Sequence, residues 1–428
     1  MIEKNIREEI INLIKREVVP AVGCTEPAAV SLAVAKATEI LGTTPDEVQL
    51  ELSGNIIKNA MGVGIPGTGM IGLPIAVALG ALIGKSEYGL EVLQDVNEEA
   101  VEAGKKYISE GRISVSHAAD APSNLHIDVT VLSGHHTARA VISREHTNFI
   151  LLEKDNETIF REEPEDTNAS NGVDNDIALS LKMVYDFATE APVDEIRFIL
   201  EARDLNKAAA EVALKENYGH SLGSTIRAKG LSYFGDTPVA HMISYTSAAC
   251  DARMGGATVP VMSNSGSGNQ GITATMPVVS YAEDINATEE QLIRALILSH
   301  LTSIYIKQSL GRLSALCGCV VASTGASTAL TWLMGGEYEQ VCAAVKNMVG
   351  NLAGMLCDGA KPSCSMKISS GVSTAMMSAM MAMNGHSVTA IEGIVTEDVD
   401  ATIRNLTSIG RESMMETDKQ ILKIMTEK

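Results

Sequence analysis

Two long stretches of the chain carry no charged residue, and they constrain the fold more than any other feature of the sequence. They are Pro66–Gly84 and Leu313–Gly336, and each must either be buried in protein or lie in a bilayer. The second is long enough to span a bilayer, but its many Gly, Ser, Thr and Cys residues make it poorly hydrophobic. We therefore predict that both stretches are buried segments of a soluble protein.

The composition indicates how such a protein fills its interior. Aromatic residues make up only 4% of the 428 residues, so large rings cannot fill the core. Ala, Val, Ile, Leu and Met must fill it instead, with Gly and Ala allowing helices to approach closely. A chain of this length holds more than one ordinary hydrophobic core, which favours two structural units.

The first forty residues predict two helices. Apolar residues recur on one face over residues 5–18, and Pro20 ends that helix. An Ala-rich helix is predicted from Thr25, its expected N-cap, to Leu41. Cys24 is therefore expected at or just before a helix N-terminus.

The pattern then changes from helical to mixed. Residues 44–165 contain several runs with the apolar–polar alternation of half-buried strands, and SGHH is predicted to be a hairpin turn. The acidic, turn-rich stretch 162–176 is the expected boundary, after which helical patterns dominate. We predict an α+β fold in which residues 1–43 and 166–428 form a mainly helical catalytic unit. Residues 44–165 form an inserted α+β unit with an antiparallel sheet.

The formal net charge of −20 limits the partners. An acidic surface repels phosphate backbones, so we expect no nucleic-acid partner. The N-terminus is charged and amphipathic and lacks the apolar core of a signal peptide, which predicts a cytoplasmic protein without a membrane partner. The sequence leaves a homo-oligomer open and favours a small molecule as the ligand.

Five of the seven cysteines fall between residues 317 and 364. Cys317 and Cys319 form a Gly-separated pair in LCGC, and Cys357 and Cys364 flank a loop in CDGAKPSC. Thiolates on such loops can converge on a metal, while the lack of a Cys-x-x-Cys pair disfavours a zinc ribbon. The alternative is that Cys357 and Cys364 are two unconnected buried cysteines, and local sequence leaves both interpretations open.

The other cysteines lie apart from this group. At a helix start, Cys24 is expected to have a lowered pKa and to serve as nucleophile, ligand or base, because the helix dipole favours a thiolate. The alternative is a plain small residue at a crowded turn. Cys250 and Cys342 lie in small-residue and helical patterns and are predicted to be buried thiols without chemistry.

Two Gly-rich segments offer backbone N–H groups to an anion. Residues 262–277, MSNSGSGNQGITATMP, are predicted to form the clearest loop of the chain, and residues 62–69 form a second. Such loops suit a carboxylate, but most Gly-rich loops are simple turns, and neither has a P-loop ending. The adjacent His135 and His136 are predicted to belong to a turn rather than to a metal site.

Four segments together resemble a known family. VGCTEPAAVSLAVA, SNSGSGNQGITATMP, LCGCVVASTGAS and CDGAKPSCSMKISSG are similar to segments of the L-cysteine desulfidase family, which is related to the alpha chain of iron–sulfur L-serine dehydratases. The resemblance covers nearly the whole chain. It implies conversion of L-cysteine to pyruvate, ammonia and sulfide, with a [4Fe–4S] cluster on three protein ligands.

The resemblance also implies roles for individual residues. Cys357 and Cys364 match two cluster ligands, and the third comes from LCGC, where we favour Cys317 over Cys319. Cys24 matches the cysteine that acts as the catalytic base. The residues expected to bind the substrate carboxylate lie in the Ser- and Gly-rich loop and are Ser265, Gly266, Gly268 and Asn269.

Two other functions remain open at this point. The first is an iron–sulfur L-serine dehydratase, although the serine dehydratase sequence Cys-Asp-Pro is here Cys-Asp-Gly with a shorter ligand spacing, which favours a thiol substrate. The second is a non-catalytic protein that binds a metal or an amino acid.

Overall fold

A computed structural model of the protein describes residues 2–162, 176–228, 233–311 and 314–427. The predicted boundary segment 162–176 therefore lies almost wholly outside the described residues. The described part is mainly helical and carries one large sheet, which confirms the predicted α+β fold.

The helices cover most of the chain and fall close to the predicted positions at its start. In chain order they are α1 (Lys4–Glu17), α2 (Thr25–Leu41), α3 (Gly54–Ala60), α4 (Leu73–Leu82), α5 (Glu98–Ser109), α6 (Leu181–Glu190), α7 (Val193–Ile196), α8 (Leu200–Lys215), α9 (Leu222–Arg227), α10 (Pro238–Met254), α11 (Gly268–Asp284), α12 (Glu289–Leu310), α13 (Gly318–Leu333), α14 (Tyr338–Leu352), α15 (Cys364–Met383), α16 (Val399–Ser408) and α17 (Met415–Glu427). Short 3₁₀ turns cover Ser86–Glu91 and Arg197–Ile199, and a π-helical turn covers Ile409–Ser413.

The strands form one six-stranded sheet and two short pairs. In chain order they are β1 (Pro20–Ala21), β2 (Glu47–Leu52), β3 (Gly64–Ile65), β4 (Met70–Ile71), β5 (Ile113–His117), β6 (His126–Ser133), β7 (His136–Ser143), β8 (Phe149–Lys154), β9 (Glu157–Arg161) and β10 (Val261–Met262). The sheet order is β5-β2-β6-β7-β8-β9, and it is antiparallel except for the parallel pair β2–β5. The predicted hairpin at SGHH is the β6–β7 connection.

Helix α13 lies in the middle of the helical unit, packed against α11, α12, α14 and α15. Its many hydroxyl groups are buried without cost because they donate to backbone carbonyls, as Ser327 Oγ does to Ala375 O at 3.0 Å. Gly325 allows a close approach to α12, since a Cβ there would lie 2.3 Å from Ser299 O. The hydroxyl-rich stretch is therefore a buried helix, as predicted.

The other uncharged stretch supplies α4, which is buried against α2. A Cβ on Gly80 would lie 2.8 Å from Ser31 O, so the glycine permits this contact. Among the described residues, no helix is both long enough and apolar enough to cross a membrane.

Helix α2 packs on the sheet rather than in the helical core. Its buried residues, such as Val30 and Val34, share one hydrophobic cluster with Val129 of β6 and Ala140 of β7. Helix α2 therefore contributes its buried face to the hydrophobic cluster of the sheet. The division of the chain into a helical unit of residues 1–43 and 166–428 and an α+β unit of residues 44–165 remains a prediction.

The segment 262–277 differs from the predicted loop. Only its first residues are irregular, because α11 begins at Gly268 with Ser267 as its N-cap; the Ser267 hydroxyl accepts a hydrogen bond from Gln270 N. Gly271 lies inside the helix and brings it against β10, since a Cβ there would lie 2.0 Å from Met262 O. Two of the glycines that suggested a loop, Gly268 and Gly271, are thus needed for close packing.

Candidate active site

One cavity of about 150 Å³ lies where the N-termini of α2, α11, α13 and α15 meet. Helix N-termini present unpaired N–H groups and a partial positive charge, so this arrangement favours an anionic ligand. The lining residues are Cys24, Glu26, Asn55, Lys58, Asn59, Arg253, Ser265, Gly266, Ser267, Asn269, Gln270, Lys307, Ser314, Leu316, Cys317, Gly318, Cys319, Cys357, Gly359, Ala360, Cys364, Lys367 and Ile368.

The cavity brings together most of the residues that the sequence singled out. All three predicted cluster ligands line it, as does Cys24. The predicted carboxylate-binding residues Ser265, Gly266 and Asn269 also line it. Gly268 does not; it lies behind the wall, where a Cβ would be 2.3 Å from Arg253 Nε.

A short strand pair carries Cys24 to this cavity from the far end of the sequence. Strand β1 pairs with β10, and the contact continues as Ser263 N donates to Val19 O and Ser265 N to Glu17 O, both at 2.8 Å. Cys24 lies three residues after the end of β1 and occupies the N-cap position of α2, one residue before the predicted cap. The start of the chain and the Ser- and Gly-rich loop therefore form adjacent walls.

The loop between β10 and α11 is held by a buried amide. Asn264 Oδ1 accepts hydrogen bonds from Ser265 Oγ and Gln270 Nε2, each at 2.9 Å, and its Nδ2 donates to His300 Nδ1 at 3.1 Å. Ser265 and Gly266 both have positive φ, +48° and +79°. Because a non-glycine residue seldom adopts such a φ, this network is what fixes the loop in its conformation.

Cys317 and Cys357 form a thiol pair. Two short extended segments run antiparallel, with Cys317 N donating to Met355 O at 3.0 Å and Cys357 N donating to Ala315 O at 2.7 Å. The hydrogen bond between the two thiols lowers the pKa of Cys357, and Lys58 and Lys367 contribute in the same direction. The same hydrogen bond, together with burial, raises the pKa of Cys317.

The remaining cysteines of the group surround this pair. Cys364 is the first residue of α15, and burial raises its pKa. Cys319 lies in the first turn of α13, where its thiol donates to Lys367 O at 3.2 Å; burial raises its pKa to about 12. Cys250 is fully buried behind the cavity, and Cys342 lies on α14 outside it.

The thiol of Cys24 differs from the sequence prediction. Burial is the largest cause that raises the pKa of Cys24 well above its ordinary value, and the Glu26 carboxylate adds to it. The nearby Arg253 guanidinium lowers that pKa but does not outweigh burial. The predicted lowering by the helix dipole is therefore wrong, because a helix N-terminus stabilises a thiolate less than burial beside a carboxylate destabilises it.

Glu26 makes Cys24 part of an acid–base pair. The Cys24 thiol donates to Glu26 Oε2 at 2.8 Å, and the Thr25 hydroxyl donates to the same oxygen at 3.2 Å. A carboxylate at this distance can accept the thiol proton when a substrate arrives.

Positive charge dominates the cavity wall although the whole chain is acidic. Lys58, Arg253, Lys307 and Lys367 line the cavity, whereas Glu26 is the one carboxylate among the described lining residues. Lys58 is only 2% exposed and pairs with Asp418 of α17, and Lys367 pairs with Asp358. The electrostatics of the cavity therefore favour an anionic ligand.

The sequence did not identify Glu26, Lys58 or Arg253 as site residues. Glu26 lies in the GCTEP segment itself, two residues after Cys24, and its carboxylate was the available signal. Lys58 and Arg253 lie in helical segments whose spacing gives no sign that a charged side chain turns inward.

Comparison with known proteins identifies a family that this chain resembles. The family model of the serine dehydratase alpha chain matches residues 87–423. That range contains Arg253, the Ser- and Gly-rich loop and the cysteines from 317 to 364, whereas Cys24 precedes it.

Relatives align over the whole chain. A UPF0597 protein of Bacteroides thetaiotaomicron is 60% identical, covering 100% of this chain and 99% of the relative. A UPF0597 protein of Oleidesulfovibrio alaskensis is 50% identical, covering 98% of this chain and 97% of the relative. One of Shewanella halifaxensis is 46% identical, covering 98% of each chain.

Proposed function

Because the chain belongs to the serine dehydratase alpha-chain family, we propose that it is a β-eliminating lyase that converts L-cysteine to pyruvate, ammonia and sulfide. The observation that carries this proposal is one cavity that combines four cysteine thiols on one wall with the Cys24–Glu26 pair and an anion-binding loop on the others. A lyase acting on a small amino acid needs these three functions together: polarisation of a leaving group, removal of a proton and binding of a carboxylate.

The family implies an iron–sulfur cluster, and the chemistry of the cysteine wall fits one. Among the described residues, no group of three His, Cys, Asp or Glu side chains is arranged around a single metal ion. A [4Fe–4S] cluster makes a different demand, because each cysteine binds a separate iron and the sulfurs need not converge on one point. A wall of thiols beside the buried Lys58 and the partly buried Lys367 suits such an anionic group.

We assign the cluster ligands to Cys317, Cys357 and Cys364. Cys317 is favoured over Cys319 because its thiol already pairs with Cys357 at the cavity wall, whereas the Cys319 thiol donates to the Lys367 carbonyl. Three ligands leave one iron open, and when bound the cluster supplies a Lewis acid for the leaving sulfur of the substrate.

Cys24 and Glu26 are assigned the proton transfer. The neutral Cys24 thiol gives its proton to Glu26 Oε2, and the resulting thiolate removes the proton from Cα of the substrate. Loss of the Cα proton and cleavage of the Cβ–S bond yield sulfide and aminoacrylate, which tautomerises and hydrolyses to pyruvate and ammonia. Burial of Cys24 keeps competing water away from this step.

The loop before α11 is assigned to the substrate carboxylate. Ser265 and Gly266 line the cavity with backbone held in left-handed conformations, and the N-terminus of α11 follows. Because Ser265 N already donates to Glu17 O, the N–H groups assigned to the carboxylate are those of Gly266 and of the first turn of α11.

L-Serine is the second candidate substrate, because the matching family model is that of a serine dehydratase. The same residues would then act on a hydroxyl leaving group. The Cys-Asp-Gly sequence at Cys357, with its short spacing to Cys364, favours the thiol.

Turnover of the two amino acids by the same sample tests the proposal. Protein reconstituted anaerobically with iron and sulfide is supplied with L-cysteine or L-serine, and pyruvate and sulfide are measured. We expect pyruvate and sulfide in equal amounts from L-cysteine, with a kcat/KM at least about 10-fold above that for L-serine. A preference for L-serine would assign the dehydratase instead, and no product from either with a full cluster would contradict a lyase.

A further inference from the structure

Arg253 is a charged side chain buried in the cavity wall without an opposite charge beside it. It lies in the last turn of α10, and only 6% of the residue is exposed. Among the described residues, no carboxylate lies within ion-pair distance of its guanidinium, although 53 of the 428 residues are acidic.

Glu26 on the cavity wall and Asp251 on the same helix make their side-chain hydrogen bonds to groups other than Arg253. Glu26 accepts the hydrogen bonds of Cys24 and Thr25. Asp251 is on the same helix as Arg253, but its Oδ2 accepts a hydrogen bond from Gly223 N at 3.0 Å, at the start of α9. The other cavity cations differ from Arg253, since Lys58 and Lys367 each have a carboxylate partner.

Two hydrogen bonds fix the guanidinium in one orientation. Nε donates to Gly23 O at 3.1 Å, and one terminal nitrogen donates to Asn269 Oδ1 at 3.0 Å. A guanidinium has five N–H groups, so the described residues accept from two of them and three are left for a ligand. Asn269 thus holds the arginine in place rather than offering a free amide to the substrate.

The absence of a side chain at Gly268 leaves the space that the Arg253 guanidinium occupies. A Cβ on Gly268 would lie 2.3 Å from Arg253 Nε and 2.8 Å from Cζ, so the guanidinium lies across the first turn of α11 only because that position is glycine. A cation held over a helix N-terminus experiences repulsion from the helix dipole. An anion between the two would remove that repulsion.

Burial of an unpaired charge is costly, and an arginine fork fits a carboxylate in two parallel hydrogen bonds. We propose that Arg253 binds the α-carboxylate of the amino-acid substrate, and that Gly268 and Asn269 are positioning residues for it. This inference rests on the proposed lyase function and specifies its substrate class: a ligand must carry a carboxylate to bind this site tightly. The carboxylate is then held between Arg253 and the Ser265–Gly266 loop.

Comparing ligands with and without a carboxylate tests this assignment. Binding of L-cysteine and of cysteamine, its decarboxylated analogue, is measured by calorimetry on cluster-free protein, and KM is measured on iron-loaded protein. For Arg253→Gln we expect the affinity for L-cysteine to fall about 30- to 100-fold and that for cysteamine to stay within about twofold. Arg253→Lys keeps the charge without the fork and should give an intermediate loss.

Control variants separate this role from a structural one. Arg294→Gln removes a largely buried arginine of α12 whose guanidinium donates to Ala188 O and Ala191 O away from the cavity, and it should leave both affinities unchanged. Gly268→Ala should reproduce the selective loss of L-cysteine binding by displacing the guanidinium. It provides a second test if Arg253→Gln does not fold.

The outcomes distinguish this inference from the lyase proposal. Arg253-dependent binding of L-cysteine without turnover would support the carboxylate site and contradict the lyase. Turnover by Arg253→Gln with an unchanged KM for L-cysteine would overturn the carboxylate site and leave the lyase intact. Equal affinity of the wild-type protein for L-cysteine and cysteamine, or no binding of L-cysteine to either form of the protein, would also overturn it.

Discussion

At the scale of single residues, Cys24 combines two opposing electrostatic effects. Its position at the start of α2 favours a thiolate, whereas burial and the Glu26 carboxylate at 2.8 Å raise its pKa. A thiol kept neutral until it can pass its proton to Glu26 is protected from metals and oxidants in the resting protein. Reactivity then depends on the pair rather than on Cys24 alone.

Replacing Cys24 tests its assignment as the base. We expect Cys24→Ala to lower kcat about 10²- to 10⁴-fold, the usual contribution of a positioned base, while the bound iron per chain stays unchanged. Cys342→Ala is the matched control, since Cys342 lies on α14 outside the cavity and its loss should leave kcat within about twofold. Loss of iron together with activity in Cys24→Ala would instead make Cys24 a ligand.

His300 gives the protein an acid-sensitive support for the loop. It is fully buried between Asn264 and Thr275, accepting from Asn264 Nδ2 at Nδ1 and donating from Nε2 to Thr275 Oγ1 at 2.9 Å. Burial lowers the pKa of His300 from 6.5 to about 3. Between these two pH values the unfolded chain binds more protons at His300 than the folded chain does. The contribution of neutral His300 to the free energy of unfolding is therefore fully present above pH 6.5 and decreases as the pH falls toward 3.

The pH dependence of unfolding measures this effect. Between pH 7 and pH 5 the His300 contribution should fall by about 2 kcal/mol, and His300→Gln should remove that slope. Urea denaturation at the two pH values gives the comparison. His136→Gln, at an exposed hairpin position, should keep the wild-type slope, and an unchanged slope in His300→Gln would contradict the account.

At the scale of elements, glycine has two different meanings in this sequence. In the segment 262–277 the glycines suggested a loop, yet α11 begins at Gly268. Gly271 lies inside this helix because its close contact with β10 leaves no room for a Cβ. Local sequence does not separate a glycine that breaks a helix from one that lets it pack. The sequence therefore located the loop that lines the cavity but overestimated its length.

Replacing Gly271 should destabilise the folded protein. A Cβ on Gly271 would lie 2.0 Å from Met262 O, so we expect Gly271→Ala to lower the free energy of unfolding by about 3 kcal/mol. Gly354→Ala is the control, because a Cβ there meets nothing within 4 Å and should change stability by less than about 0.5 kcal/mol. Equal effects of the two changes in chemical denaturation would contradict the close packing of α11 on β10.

At the scale of the whole molecule, the cavity depends on parts of the chain that are far apart in sequence. Strand β1 carries Cys24 to β10, and α17 returns from the C-terminus to place Asp418 beside Lys58 of α3. The alternating and helical patterns predicted the fold class and the elements. They did not predict that α2 packs on the sheet, because an Ala-rich helix that is apolar on most faces suits either core.

Only some of the residues that line the cavity were singled out from the sequence. The cysteines and the loop were singled out mainly through the family resemblance, because their local sequence alone left both a binding site and a purely structural interpretation open. Arg253 and Lys58 were not singled out, since a charged residue in a helical pattern is normally assigned to the solvent face, and only tertiary contacts turn these two inward.

The Lys58–Asp418 pair should couple α17 to the rest of the protein. Asp418→Asn leaves a buried ammonium without its partner, so we expect the free energy of unfolding to fall by about 2 kcal/mol. Adding Lys58→Met should recover most of that loss, because the unpaired charge is then gone. Glu427→Gln, at an exposed pair on the same helix, should change stability by less than about 0.5 kcal/mol, and a similar effect of Asp418→Asn would contradict the coupling.

We propose that this cavity holds an iron–sulfur cluster on Cys317, Cys357 and Cys364. Iron and acid-labile sulfide bound per chain after anaerobic reconstitution test it most directly. We predict about four of each for the wild-type protein and for Cys319→Ala, with substantial loss for Cys317→Ala, Cys357→Ala and Cys364→Ala. A wild-type chain that binds no iron–sulfur cluster, or a Cys357→Ala variant that binds as much as the wild type, would contradict the claim.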